Sequence, residues 1–107
     1  MATKPRIKLP DTAKVGEIIE IKTLIQHVME TGNRKDKDGK VIPRFILNAF
    51  EAKFEGKPVF RAVMGSGTAA NPYMSFFVKV PGPGSFEFTW TEDGGAKITD
   101  TQPLKVV

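Results

Sequence analysis

Apolar and polar residues alternate along much of this chain with a period of two, and no segment keeps the period of a helix. The clearest example is the segment Val15–Val28, in which Ile19, Ile21, Thr23 and Ile25 share one face. Successive side chains of a strand point to opposite faces of a sheet, so this pattern is typical of a strand with one buried face. The sequence therefore predicts an all-β fold.

Turn-forming residues divide the chain into about seven short strands, and the turns recur every ~8–12 residues. This spacing is typical of an immunoglobulin-like antiparallel β-sandwich. At 107 residues the chain has no room for a second core, so residues 1–107 are predicted to form one domain. The predicted strands are Arg6–Leu9, Val15–Val28, Pro43–Phe54, Pro58–Met64, Tyr73–Val80, Phe86–Thr91 and Ala96–Val107.

The alternation also predicts which residues meet in the core and where it is interrupted. Apolar rows of different strands should place Ile21, Phe76, Phe88 and Trp90 in one core. The parity slips near Asn48, which predicts a bulge or a bend. Proline cannot donate to a sheet ladder, so Pro103 predicts that part of the last strand lies at a sheet edge.

The chain lacks the side chains on which many enzymes and metal sites depend. It has no cysteine and one histidine, His27, so thiolate and imidazole ligands for zinc or iron cannot be assembled. We interpret His27 as a hydrogen-bonded residue at the end of a strand. The sequence predicts no enzymatic activity, no cofactor and no metal site.

Charge and hydropathy point away from nucleic acid and from membranes. The net charge is +4, and basic residues are interleaved with acids, as in the segment Glu51–Lys57. No apolar run approaches the ~20 residues that span a bilayer. The first residues are not followed by the apolar region of a signal peptide.

Several strands carry apolar residues on both faces, which is more apolar sheet surface than one small core uses. A contiguous apolar patch on a soluble domain marks a contact with another protein. The alternative is that loops cover these residues or that the strand registers slip. The candidate interface residues are Tyr73, Phe77, Ile18, Leu24, Phe45 and Leu47.

Three segments together resemble one protein family: His27–Arg44, Asn71–Val78 and Phe86–Gly94. The chain resembles the SoxZ family, the small subunits of the SoxYZ sulfur carrier of bacterial thiosulfate oxidation. Val28 departs from the proline expected after the histidine, which should alter the local strand end rather than the fold.

The resemblance implies an immunoglobulin-like sandwich bound tightly to SoxY, whose C-terminal cysteine carries the sulfur intermediates. A chain without cysteine would then be the non-catalytic scaffold that presents SoxY to the other Sox enzymes. The resemblance also implies a periplasmic location, reached by export with the signal-bearing partner. The alternative is a standalone β-sandwich that binds a small ligand or a carbohydrate. The role of the polar loop Glu30–Lys40 stays open between a solvated loop and a contact with anionic species or enzyme partners.

Overall fold

Two β-sheets packed face to face make up the described part of the protein. The computed structural model describes residues 5–27, 29–65 and 72–107, so Val28 lies outside the described residues. These residues contain eight strands, which confirm the predicted all-β sandwich. The strands are β1 (Arg6–Lys8), β2 (Thr12–Ala13), β3 (Ile18–Leu24), β4 (Leu47–Phe54), β5 (Lys57–Val63), β6 (Tyr73–Lys79), β7 (Gly84–Glu92) and β8 (Lys97–Val106). The described residues include no helix long and apolar enough to cross a membrane.

The smaller sheet has three strands in the order β1-β3-β6, and the larger has five in the order β2-β8-β7-β4-β5. The strand pairs are antiparallel except for β2, which runs parallel to β8. The sequence did not predict β2, because a strand of two residues is too short to show alternation. It pairs with β8 only at Lys105 and Val106, so β8 keeps an open edge at Pro103, as predicted.

The inward rows of the two sheets form one core, as the alternation predicts. Ile21 and Phe76 come from the three-stranded sheet, and Phe88 and Trp90 from the five-stranded sheet; all four are buried. Phe50 lies among them, with its ring centroid 5.0 Å from that of Trp90 and 5.9 Å from that of Phe76. Because Phe50 and Phe76 belong to different sheets, their contact joins the two layers.

A bulge in β4 explains why Leu47 is not on the surface. The register of β4 against β7 shifts between Leu47 and Ala49, where the alternation slips near Asn48. The shift turns Leu47 inward, and its side chain is 0% exposed. The prediction that Leu47 faces outward was therefore wrong. It assumed regular alternation along β4, whereas a bulge adds one residue to the strand and exchanges its inward and outward positions.

Candidate partner interface

The outer face of the three-stranded sheet carries most of the predicted interface residues. Ile18 is 68% exposed, Tyr73 58% and Phe77 69%, while Leu24 is half-buried. The intervening residues of β3 and β6 point into the core. Three large apolar side chains on one sheet thus face away from the core, where burial against a partner would remove them from water.

The pairing of β3 with β6 arranges these side chains in two apolar groups. Leu24 lies directly opposite Tyr73. Phe77 lies opposite Glu20 and diagonal to Ile18, and diagonal neighbours on one face are about 7–8 Å apart, within reach of an aromatic ring. Each group therefore combines one aromatic and one aliphatic side chain.

A polar centre separates the two apolar groups. The hydroxyl of Ser75 donates a hydrogen bond of 2.7 Å to Glu20, and the Lys22 Nζ lies 3.8 Å from the same carboxylate. These groups are exposed, so the ion pair contributes little to stability. Their arrangement gives the face a polar strip with an apolar group at each end.

A shallow groove of about 290 Å³ opens beside Leu24 and Tyr73. Its lining includes the cationic side chains of Arg6, Lys8 and Lys22 and no carboxylate. An apolar side chain flanked by acidic residues would complement this groove in both shape and charge.

Phe45 belongs to a different cluster from the other predicted interface residues. It is 41% exposed, but its ring stacks on His27 with centroids 5.3 Å apart, and its backbone pairs with that of Glu30. The structure therefore brings together four of the six predicted residues on one sheet face: Ile18, Leu24, Tyr73 and Phe77.

His27 is held in place by hydrogen bonds, as predicted, but it lies three residues beyond the end of β3 at Leu24 rather than in the strand. Its Nδ1 accepts a 3.0 Å hydrogen bond from the backbone N–H of Met29. Nδ1 is then the acceptor of a neutral ring, so Nε2 carries the proton and donates to Glu92 over 3.1 Å. The histidine side chain is 7% exposed. Within residues 5–27, 29–65 and 72–107, no group of three or more His, Cys, Asp or Glu side chains could hold a metal ion.

Comparisons with known proteins identify the family of the chain. The family described as "Sulphur oxidation protein SoxZ" has a model that matches residues 7–103. The chain belongs to the SoxZ family. The resemblance seen in the three sequence segments is thereby confirmed, and this SoxZ-family chain has its role in Sox sulfur oxidation. A comparison with curated proteins finds no match.

Solved structures share the sandwich of this SoxZ-family chain at low sequence identity. The sulfur carrier protein SoxY from Chlorobium limicola f thiosulfatophilum is 13% identical with a TM-score of 0.67, and the match covers 99% of this chain and 81% of that chain. A superoxide reductase (neelaredoxin) from Ignicoccus hospitalis is 16% identical with a TM-score of 0.73, over 98% of this chain and 82% of that chain. At these identities the likeness shows the fold alone.

Sequence reasoning about the SoxZ-family chain missed a carboxylate, Asp93, that ties β4 to the turn between β7 and β8. Arg44 donates two hydrogen bonds of 2.9 Å to it. Asn48 Nδ2 donates another over 3.1 Å, and the backbone N–H of Ile46 donates over 3.2 Å. The hydrogen bond from Arg44, followed by that from Asn48, lowers the pKa of Asp93. Asp93 precedes two glycines, a pattern that indicates a turn and carries no signal for these contacts.

Replacing Asp93 with asparagine should make stability less dependent on pH. The native carboxylate has a lowered pKa, so it stabilises the fold above the unfolded-state pKa of about 3.9, and this contribution is lost as pH falls through the folded-state pKa. Asp93→Asn should therefore be less stable than the wild type at about pH 7, with the difference shrinking towards about pH 2.5. Urea unfolding at both pH values measures this.

The exposed carboxylate of Asp38 provides a matched control for that experiment. Asp38→Asn makes the same chemical change outside the Arg44–Asp93 contact, so it should alter stability little at either pH. A destabilisation by Asp93→Asn that is equal at both pH values would contradict the electrostatic origin of the effect.

Proposed function

We propose that this chain is the non-catalytic subunit of a sulfur-carrier heterodimer, in which it binds and scaffolds SoxY. A SoxZ-family chain without cysteine has no thiolate on which to carry sulfur. The observation that carries the proposal is the exposed apolar face of the three-stranded sheet, which gives such a subunit a surface for its partner.

The outer face of the three-stranded sheet is the proposed contact with SoxY. Tyr73 and Phe77 are more than half exposed, and aromatic residues are enriched among the side chains that contribute most to binding energy. The groove beside Leu24 adds the cations Arg6 and Lys8 to the face, next to Lys22, which is paired with Glu20, so the matching surface of SoxY should combine apolar anchors with carboxylates.

The scaffold role includes presentation of the SoxY cysteine to the other Sox enzymes. In this division of labour SoxY supplies the thiolate, because this chain has no cysteine. We infer that the chain itself takes no sulfur adduct and uses no cofactor. We also infer a periplasmic location, reached by export together with the signal-bearing partner.

Co-expression with SoxY of the same organism, followed by size-exclusion chromatography and intact mass spectrometry, tests the proposal. We expect a stoichiometric heterodimer. After incubation with thiosulfate and the Sox enzymes, the mass increments of bound sulfur should appear on SoxY and not on this chain. Mild thiol reduction provides the control, because it should remove the increments from SoxY.

Two outcomes would contradict the proposal in different ways. A covalent sulfur increment on this chain would show that it is not only a scaffold. A chain that elutes as a monomer in the presence of folded SoxY would favour the alternative of a standalone module for a small ligand or a carbohydrate.

A further inference from the structure

Residues 30–45 form a basic hairpin that the proposed SoxY contact does not use. At its base, Glu30 and Phe45 exchange two backbone hydrogen bonds of 2.8 Å each. Farther along, the N–H of Ile42 donates to the carbonyl of Arg34 over 2.8 Å. The two arms of the basic hairpin are thus paired at isolated bridges, at Glu30 with Phe45 and at Lys35 with Val41.

One carboxylate fixes the tip of the basic hairpin. The side chain of Asp36 accepts hydrogen bonds from the N–H groups of Asp38 (2.9 Å) and Lys40 (3.0 Å). Gly39 has a φ of +82°, a conformation that favours glycine at this turn. These contacts fix the backbone of the tip, and with it the positions from which the neighbouring lysines extend.

One of the three carboxylates of the basic hairpin, that of Glu30, forms an ion pair, whereas Asp36 and Asp38 are exposed beside three lysines. Glu30 accepts two hydrogen bonds from Arg34, at 3.0 and 2.8 Å. This contact is the main cause of the lowered pKa of Glu30. Lys35, Lys37 and Lys40 are exposed. Among the residues that the structure describes, none of these three lysines forms an ion pair.

We propose that the basic hairpin docks on an acidic surface of the enzymes that act on the carrier, an inference that rests on the proposed function. A carrier has to leave each enzyme after reaction, and exposed charges give rapid association that is sensitive to salt. The apolar outer face of the three-stranded sheet suits a permanent contact instead. The three lysines are distributed over one arm of the basic hairpin and its turn, so they match an extended acidic surface better than one small anion.

The test is a charge-neutralised heterodimer carrying Lys35→Gln, Lys37→Gln and Lys40→Gln. The readout is kcat/KM for the enzymatic loading of sulfur onto SoxY. Loading is monitored by intact mass spectrometry, at low ionic strength and at about 0.5 M salt. We expect about a tenfold loss at low ionic strength that disappears at high salt. The matched control carries Lys57→Gln, Lys97→Gln and Lys105→Gln, which are exposed on the five-stranded sheet, and should change kcat/KM by less than about twofold.

Equal rates for the triple variant and its control would overturn the docking role. A loss that persists at high salt would also overturn it, because the effect would then come from the fold of the hairpin rather than from charge. Saturable binding of thiosulfate to the wild-type heterodimer that is lost in the triple variant would identify a small-anion site instead. Both variants should co-elute with SoxY. Failure of the wild-type chain to do so counts against the proposed function itself, and the docking role falls with it.

Discussion

Replacing Trp90 with alanine is expected to lower the free energy of unfolding by about 3–5 kcal/mol. The indole is 1% exposed and contacts Phe50 at 5.0 Å between ring centroids, so its removal leaves a cavity in the middle of the core. Trp90 lies in β7, which pairs with a strand on each side, and the surrounding backbone has little freedom to collapse into the space. Circular dichroism during urea unfolding measures the change, because the variant lacks the one tryptophan of the chain.

Two further variants make this result interpretable. Trp90→Phe keeps an aromatic ring in the core and should lose less stability, which covers the case in which the alanine variant does not fold. Tyr73→Ala removes an aromatic residue that is 58% exposed and should cost less than about 1 kcal/mol. A loss below about 1 kcal/mol for Trp90→Ala would contradict the burial of this side chain.

The second large effect is expected from Phe77, at the proposed contact with SoxY. Phe77→Ala should weaken the heterodimer by about 2 kcal/mol, roughly 30-fold in Kd, if the ring is a central anchor. Phe77→Asp should be more severe, because the interface would then bury a charge without a partner. Affinity is measured by titration of tagged SoxY with each chain, after circular dichroism has shown that the variant folds.

Val63 offers a matched control for Phe77. It is 82% exposed and lies on β5, in the other sheet, so Val63→Asp introduces the same charge away from the proposed interface. We expect this control to bind SoxY as the wild type does. A folded Phe77→Asp chain that binds with unchanged affinity would show that the outer face of the three-stranded sheet is not the contact.

The core was predictable from the sequence because a strand repeats every two residues. Ile19, Ile21 and Ile25 are all buried, as their shared parity predicts. The bulge near Asn48 was predictable as an interruption, but its effect on Leu47 was not. A break in the alternation shows that inward and outward positions exchange somewhere near Asn48. Only the pairing of β4 with β7 shows which residues come before that exchange and which come after it.

The candidate interface was predictable only where it depends on the alternation of inward and outward residues along a strand. Tyr73 and Phe77 lie opposite the core row of their strand and are exposed. The half-burial of Leu24 depends on tertiary neighbours, since Leu24 pairs with Arg6 as well as with Tyr73. Contacts such as that of Phe45 with His27 leave no periodic signal in the sequence.

The connectivity of the two sheets has a consequence for the order of folding. In the larger sheet, tight turns join β4 to β5 and β7 to β8, so these pairs form between neighbouring segments. In the smaller sheet, β3 pairs with β6 across a long stretch of chain, since Glu20 and Ser75 are 55 positions apart. Such a pairing has to close a long loop before its contacts give any stability, which makes it intrinsically slow. The surface that combines Ile18 with Phe77 therefore forms only when two distant segments of the chain have paired, and a partner that binds there recognises the paired sheet rather than either strand alone.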